Sequence, residues 1–319
     1  MATIAAELQI ERRGGARSTL RRQRANFVIF LGPAIVLTIL FFIIPVIIDI
    51  VVSFTDLGRS LQFEGFTTEQ YERILLGSDR RLSSVIALTF IYVFATLAIF
   101  NVTFGLVLAL VTTSINSISG GFFRGVWLLP RMSPSVLYIL LWLWVVSPSE
   151  TGLLNQVLMT LFGLDAPLDL KTQAPVILII VSNGFIGASM GMIIFTAAIR
   201  SIPEHLFHAA RVDGAGPLAI VRYITLPALR WPISFVTIYQ TLSLLVSFEY
   251  ILLLTEGGPF YDTTVYALYV YRRAFESGQY GYGAALALFL IVIGVVFALL
   301  GWRFFDMNQL LQRPRIEVH

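Results

Sequence analysis

The chain has 319 residues, of which 57% are hydrophobic and 13% are charged, with a net charge of +3 at pH 7. So much apolar surface cannot remain in water, which excludes a soluble fold and indicates an integral membrane protein. The sequence contains no Cys, which excludes disulfides, thiol catalysis and Cys-ligated metals.

Six apolar runs are long enough to cross the ~30 Å hydrocarbon core of a bilayer. They cover residues 27–52, 84–112, 122–146, 174–199, 233–255 and 282–305. Runs of this length without regular polar alternation favour helices over the strands of a membrane barrel. The sequence therefore predicts an all-α, six-span domain at 26–305, with a basic tail at 1–25 and a second tail at 306–319.

Basic residues are distributed unevenly between the two sides that the six spans define. Fourteen lie on the side of the N-terminus and seven on the other, while Arg131 lies within a span, which accounts for the 22 Lys and Arg residues. The positive-inside rule then predicts that both termini and the stretch at 202–232 lie in the cytoplasm. The Arg-rich segment before residue 27 is interpreted as part of this topology signal, so the bilayer is an expected partner and nucleic acid is not.

A polar, Arg-bearing stretch at 202–232 separates the fourth and fifth spans. Residues 202–212 predict a short helix, because apolar residues recur near helical spacing. Gly214 can take the left-handed conformation that ends a helix, and Pro217 suits the first turn of the next helix. The stretch therefore predicts a helix, a sharp turn and a second helix.

This stretch resembles the EAA loop of ABC-importer permeases, whose short coupling helix sits in a groove of an ATPase subunit. The resemblance assigns the ATPase contact to Phe207, His208, Ala209, Ala210, Asp213, Gly214, Ala215, Leu226 and Pro227. His208 stands where the family usually has a glutamate, so an ion pair of that glutamate is not carried over. His208 is either a neutral contact or a weakly pH-sensitive one. The alternative interpretation is an ordinary polar loop between spans.

A second pattern covers residues 254–285. It begins with Leu-Thr-Glu-Gly-Gly-Pro, whose Gly257, Gly258 and Pro259 predict a turn at the outer membrane face. Tyrosines and a Gly-Tyr-Gly-Ala-Ala run follow, and the whole segment resembles the MalF-type permeases of carbohydrate importers. Together with the Pro-containing first span, this similarity extends over nearly the whole chain. The alternative role for the tyrosines is anchoring at the membrane interface.

The resemblance implies a type I ABC importer permease in a bacterial-type inner membrane. The implied partners are a second, homologous permease subunit, two ABC ATPase subunits and an external solute-binding protein. The implied substrate is a sugar, an oligosaccharide, a polyol or a sugar or polyol phosphate.

This chain itself is predicted to be non-catalytic. Its single lysine, Lys171, has no P-loop around it, and His205, His208 and His319 lack metal-ligand spacing. We therefore expect no cofactor or metal on this chain and ATP with Mg on the partner ATPase subunits.

Polar and aromatic residues inside the spans are the candidates for the substrate pathway. They are Arg131, Asn183, Tyr239, Gln240, Glu249 and Tyr250. Arg131 lies about nine residues into the third predicted span, near mid-membrane, where a charge usually faces a cavity or a partner. It either contacts a polyol or an anionic sugar derivative, or forms a structural pair with Glu249 or the partner permease.

The neutral candidates have a second interpretation as well. Asn101, Asn183 and Gln240 either line the cavity or join helices by hydrogen bonds. Trp142, Trp144 and Tyr239 suit sugar faces and also ordinary helix or lipid packing.

Two other classes of protein remain as alternatives. An ion-coupled secondary transporter of small polar solutes needs intramembrane acids on the ion path, and Glu249 is the one strong candidate. A membrane enzyme needs a catalytic constellation, and the sequence shows none.

Overall fold

The computed structural model describes residues 29–60, 62–63, 65–163 and 165–304. The predicted tails at 1–25 and 306–319, and the outermost residues of the first and last predicted spans, lie outside these ranges. Within them the chain is mostly helical and forms no strand, with one isolated antiparallel bridge between Thr55 and Phe66.

The helices are numbered in chain order. They are α1 (Ile29–Ser53), α2 (Glu69–Leu75), α3 (Leu82–Ser114), α4 (Ser117–Met132), α5 (Ser135–Val145), α6 (Leu153–Phe162), α7 (Leu170–Gln173), α8 (Pro175–Arg200), α9 (Glu204–Val212), α10 (Pro217–Ala228), α11 (Arg230–Val246), α12 (Glu249–Thr255), α13 (Tyr266–Tyr271) and α14 (Tyr280–Phe304). Helices α1, α3, α8 and α14 are each long and apolar enough to cross a membrane. Counting the bent pairs α4–α5 and α11–α12 as one span each brings the number to six.

The third predicted span is not one continuous helix, which corrects the prediction for 122–146. Helices α4 and α5 meet at an angle of 103°. Ser133 is extended, with φ −79° and ψ 148°, because a residue before proline is disfavoured in the helical region and Pro134 follows it. The fifth predicted span is also broken, by 52° between α11 and α12, although no proline lies at that break. Its extended residue is Ser247, with φ −76° and ψ 117°.

Helix α8 lies at the centre of the bundle, packed closely against α3. A Cβ atom added at Gly187 would lie 2.2 Å from the Asn101 side-chain oxygen, and one at Gly191 would lie 2.2 Å from the Asn101 carbonyl oxygen. Small residues at these positions therefore let the two backbones approach, as is common between membrane helices.

Helix α1 is peripheral by comparison. Ser53 at the end of α1 is the one buried residue of this helix. The most extensive packing contact of α1 with a remote segment is with α14. A Cβ atom at Gly281 in α14 would lie 2.1 Å from the Thr55 carbonyl oxygen, so this glycine permits the close contact at the end of α1.

Candidate functional site

The stretch between α8 and α11 has the predicted arrangement of helix, turn and helix. Helix α9 ends at Val212, and Gly214 follows with φ +80°. The Ala215 N–H donates to the Ala210 carbonyl oxygen at 2.9 Å, which satisfies a carbonyl group at the end of the helix. Helix α10 then starts at Pro217, the position where proline suits a first helical turn.

Helix α9 has no buried residue, so most of its surface faces away from the rest of this chain. Val212 is 87% exposed, and Leu218 at the start of α10 is 86% exposed. The residues that the resemblance assigns to the ATPase contact fall into two groups. The exposed residues are His208, Ala209, Asp213, Gly214 and Pro227, and the partly exposed residues are Phe207, Ala210, Ala215 and Leu226. An exposed apolar surface on a polar helix is typical of a protein-binding site.

His208, which stands where the family usually has a glutamate, has a carboxylate one helical turn away at Glu204. His208 Nε2 lies 3.6 Å from Glu204 Oε1, and both side chains are exposed. The two residues form an ion pair when the imidazole is protonated, at the i and i+4 positions of one helical face.

Inside the membrane, the two helix breaks lie next to each other. Ser135, just after the first break, donates a 2.5 Å hydrogen bond from Oγ to Glu249 Oε1, just after the second. One turn further along, the rings of Tyr138 and Tyr250 contact edge to face with centroids 6.0 Å apart. Discontinuous membrane helices of this kind commonly line solute sites.

Arg131 lies at the end of α4, two residues before the first break. The residue is exposed, and its Nη2 lies 3.9 Å from the Met190 sulfur. Within the part of the chain that the structure describes, Arg131 forms no ion pair with Glu249, so the intrachain pair considered from the sequence is not present. Glu249 is instead hydrogen-bonded to Ser135, whose position follows from the sharp bend between α4 and α5.

A cavity of about 430 Å³ lies at the bend between α4 and α5, and its lining includes Pro130 but not Arg131 itself. Its walls include the aromatic rings of Tyr138, Trp142 and Phe185, and Ser133 at the break. Sequence reasoning named Trp142 but missed Tyr138 and Phe185, because aromatic residues in apolar spans give no local signal of facing a cavity.

The amide candidates occupy more buried positions. Asn183 donates from Nδ2 to the Tyr92 hydroxyl at 2.6 Å and to Ser247 Oγ at 3.2 Å. Gln240 donates from Nε2 to the Gly187 carbonyl oxygen at 3.1 Å. In this conformation both amides therefore join helices, as the alternative interpretation proposed.

The remaining polar and aromatic candidates differ in exposure. The Asn101 amide is fully buried, and neither of its polar atoms has a partner among the described residues. Tyr239 is exposed and stacks on Phe235, with ring centroids 6.0 Å apart. Trp144 is also exposed.

The Gly257-Gly258-Pro259 segment forms a turn, as predicted. Gly257 has φ +71°, a conformation that favours glycine. Threonines close the turn from inside: Thr263 Oγ1 donates to the Gly258 carbonyl oxygen and Thr264 Oγ1 to the Gly257 carbonyl oxygen, both at 2.8 Å.

A buried ionic network near this turn was missed by sequence reasoning. Asp79 Oδ2 accepts hydrogen bonds from the hydroxyls of Tyr269 and Tyr282, and from Arg273 Nη2 at 3.2 Å. Arg73 Nη2 lies 3.9 Å from the same oxygen. Burial acts to raise the pKa of Asp79, but the tyrosine hydrogen bonds, the Arg81 N–H and the Arg273 charge together hold it below its usual value. Burial and the bond to Asp79 raise the pKa of Tyr269 to about 12.

The sequence profile described as "Binding-protein-dependent transport system inner membrane component" matches residues 101–304, which include the paired helix breaks and the α9–α10 stretch. This chain belongs to that family. Its members are permease subunits, which are non-catalytic transport components, so the prediction that this chain is not an enzyme is confirmed.

Individual relatives agree with this membership. The chain is 32% identical to a probable ABC transporter permease of Pyrococcus horikoshii, over 85% of this chain and 92% of that protein. It is 30% identical to the diacetylchitobiose uptake system permease NgcF of Streptomyces coelicolor, over 90% of this chain and 85% of that one.

A solved structure has the same fold. In a bacterial alginate ABC transporter crystallised with an alginate pentasaccharide-bound periplasmic protein, the matching chain gives a TM-score of 0.76 at 25% identity, covering 92% of this chain and 97% of that chain. The resemblance to the MalF-type permeases and the ABC importer permease fold are therefore confirmed.

Proposed function

We propose that this chain is the permease subunit of an ATP-driven, binding-protein-dependent importer for a sugar, an oligosaccharide, a polyol or a phosphorylated relative. It forms half of the translocation pathway, and its α9–α10 stretch couples that pathway to an ATPase. The observation that carries this proposal is the exposed helix–turn–helix inserted between two spans of a permease fold.

The connections of α9 and α10 support coupling. Residues 201–203 link α8 to α9, and Leu229, which is fully buried, links α10 to α11. A force applied to α9 therefore reaches the central helix α8 and the broken span α11–α12. The second of these carries Glu249, which contacts Ser135 across the two breaks.

The paired breaks support alternating access. The backbone is extended at Ser133 and Ser247, and changes in φ and ψ at these two breaks can rotate the adjoining helices while leaving them intact. A shift from 1:99 to 99:1 between two arrangements requires about 5.5 kcal/mol. ATP binding to the partner subunits is the proposed source of that difference.

The pathway residues support a hydroxyl-rich substrate. Arg131 is exposed near the end of α4, and the aromatic-lined cavity lies at the bend that follows. Aromatic rings suit the apolar faces of sugars, and a guanidinium donates to hydroxyl or anionic oxygens. Relatives named for diacetylchitobiose and alginate transport favour the same substrate class. Glu249 and Tyr250 remain proposed pathway residues in addition to Arg131.

The proposed assembly contains a second, homologous permease, two ABC ATPase subunits and an external solute-binding protein. ATP and Mg bind to the ATPase subunits. The excess of basic residues on one side of the spans supports an inner-membrane orientation with both termini in the cytoplasm.

Two neighbouring glycines provide a matched test of coupling. Gly214 has φ +80° and Gly216 has φ −72°, and a Cβ atom at either position would meet no atom within 4 Å. Gly214→Val therefore distorts the turn through its backbone, whereas Gly216→Val keeps the φ value that a β-branched residue accepts. The measurement is substrate-stimulated ATP hydrolysis by the complete complex, reconstituted with its binding protein and a panel of saccharides.

We expect Gly214→Val to lower stimulated hydrolysis at least tenfold, a ~1.4 kcal/mol effect, while Gly216→Val stays near wild type. Equal activity of the two variants, with both complexes assembled, contradicts coupling through this turn. Transport by the chain reconstituted without ATPase subunits contradicts the importer proposal itself and favours ion coupling at Glu249.

A further inference from the structure

A half-buried carboxylate in α1 has no role in the proposed transport function. Asp49 lies in a cleft of about 390 Å³ between α1 and its spatial neighbours α13 and α14. Among the described residues, its carboxylate has no hydrogen-bond or ion-pair partner. Burying a charge without a partner is costly, so acids inside membrane helices usually mark a site for a cation or a donor.

The position of Asp49 along α1 places it near lipid headgroups. The 25 described residues of α1 extend over roughly 37 Å at 1.5 Å per residue, which exceeds the ~30 Å hydrocarbon core. Asp49 lies four residues before the end at Ser53, about 6 Å along the axis. The carboxylate is therefore near the boundary between acyl chains and headgroups.

The rest of the cleft is suited to the apolar part of an amphiphile. Its walls are formed by Ile48 and Val52 of α1, by Val270 of α13, by Phe275 between α13 and α14, and by Tyr280 at the start of α14. Phe275 and Ile48 are exposed, so this apolar lining is continuous with the outer surface of the bundle. One carboxylate in an apolar cleft at headgroup depth matches a molecule with one cationic group and a hydrocarbon chain.

We propose that this cleft binds a phospholipid with a primary ammonium headgroup, with the ammonium group on the Asp49 carboxylate. A primary ammonium offers three hydrogen-bond donors, whereas a quaternary ammonium offers none. Phosphatidylethanolamine should therefore bind better than phosphatidylcholine, and an anionic headgroup should be repelled. The bound lipid would fill the cleft beside the contact between α1 and α14, which is the main packing contact of α1.

The test uses the purified complete transporter in nanodiscs that contain equal amounts of phosphatidylethanolamine, phosphatidylcholine and phosphatidylglycerol. Native mass spectrometry after mild detergent release measures the lipids that stay bound. Wild type is expected to retain phosphatidylethanolamine preferentially. Asp49→Asn should reduce that retention roughly tenfold, as expected for losing a charge-assisted hydrogen bond. Asp49→Glu should preserve part of it, and Glu150→Gln, at an exposed acid outside the cleft, should leave it unchanged.

Two results overturn the proposal. One is wild-type protein that does not distinguish phosphatidylethanolamine from the other lipids, a result that needs no variant to fold. The other is equal retention by wild type and Asp49→Asn. A further measurement checks the competing source of a cation, a basic side chain of the partner permease. In this Cys-free chain, D49C can be treated with a short reagent whose maleimide bonds to the thiol and whose activated ester acylates a lysine amine. A cross-link to the partner permease would show a protein ammonium group in the cleft and exclude the lipid. None of these readouts depends on transport, so they are independent of the proposed function.

Discussion

The α9–α10 stretch and the Asp79 network both concentrate polar groups, but they use them in opposite ways. In α9 no residue is buried, and its charged groups face away from the chain. Around Asp79, by contrast, the carboxylate is buried and accepts hydrogen bonds from two tyrosines and an arginine. Buried polar residues whose hydrogen bonds are made within the chain stabilise the fold. A surface that exposes both polar and apolar residues remains available to bind a partner.

The largest expected effect comes from breaking the internal network. Asp79→Asn removes the charge that Arg273 and Arg73 share, and a buried pair that loses one partner is destabilised by several kcal/mol. Because both arginines are partly exposed, we expect a loss of about 2–4 kcal/mol in the free energy of unfolding. Thermal unfolding of the purified complex measures it. An unchanged midpoint would mean that the network adds nothing to stability.

The same carboxylate should make stability depend on acid pH. Its pKa is lower in the folded chain than its ordinary value, so the stabilisation is fully present above about pH 4 and is lost as pH falls through the folded pKa. We expect wild type to lose stability in this range faster than Asp79→Asn, with unfolding followed at a series of pH values. Parallel curves for the two proteins would contradict the assignment.

A smaller effect on assembly is expected from the exposed surface. Val212→Asp places a charge on a residue that is 87% exposed, so the unfolding midpoint should stay within the range of ordinary surface substitutions. If α9 enters a groove on the ATPase, the charge should be desolvated there and weaken association by roughly tenfold. Retention of ATPase subunits during purification measures this, with Glu150→Gln as the control. Full retention argues against an apolar contact at Val212.

The smallest effect belongs to the Glu204–His208 pair. Both side chains are exposed, and such pairs contribute about 0.3–0.5 kcal/mol. Glu204→Gln should therefore leave the unfolding midpoint almost unchanged. A change in ATPase stimulation without a change in stability would show that the carboxylate acts on the partner subunit, and no change in either would show a solvated pair.

Local patterns predicted much of this molecule. The apolar runs located the spans, and the Asp213-Gly214 sequence with Pro217 predicted the turn between α9 and α10, because such signals act within a few residues. Pro134 also carried a local signal for the break at Ser133. The break at Ser247 carried none, since no proline or glycine lies there.

The candidate site could be predicted only in part. Arg131 and Glu249 were identified because charges inside apolar runs are conspicuous. Ser135 was missed, since a serine in a span is unremarkable until the bend between α4 and α5 brings it to Glu249. Asp79 was also missed, because nothing near it in the sequence indicates burial.

By itself, the sequence determined the membrane class, the helical fold and the helix–turn–helix between two apolar helices, since periodicity and turn chemistry are properties of neighbouring residues. Tertiary structure alone decided which polar groups meet. Ser135 and Glu249 are 114 residues apart, and Asp79 and Tyr269 are 190 residues apart. Such pairs form because helix packing sets distances between remote segments, and a single sequence carries no local record of those distances.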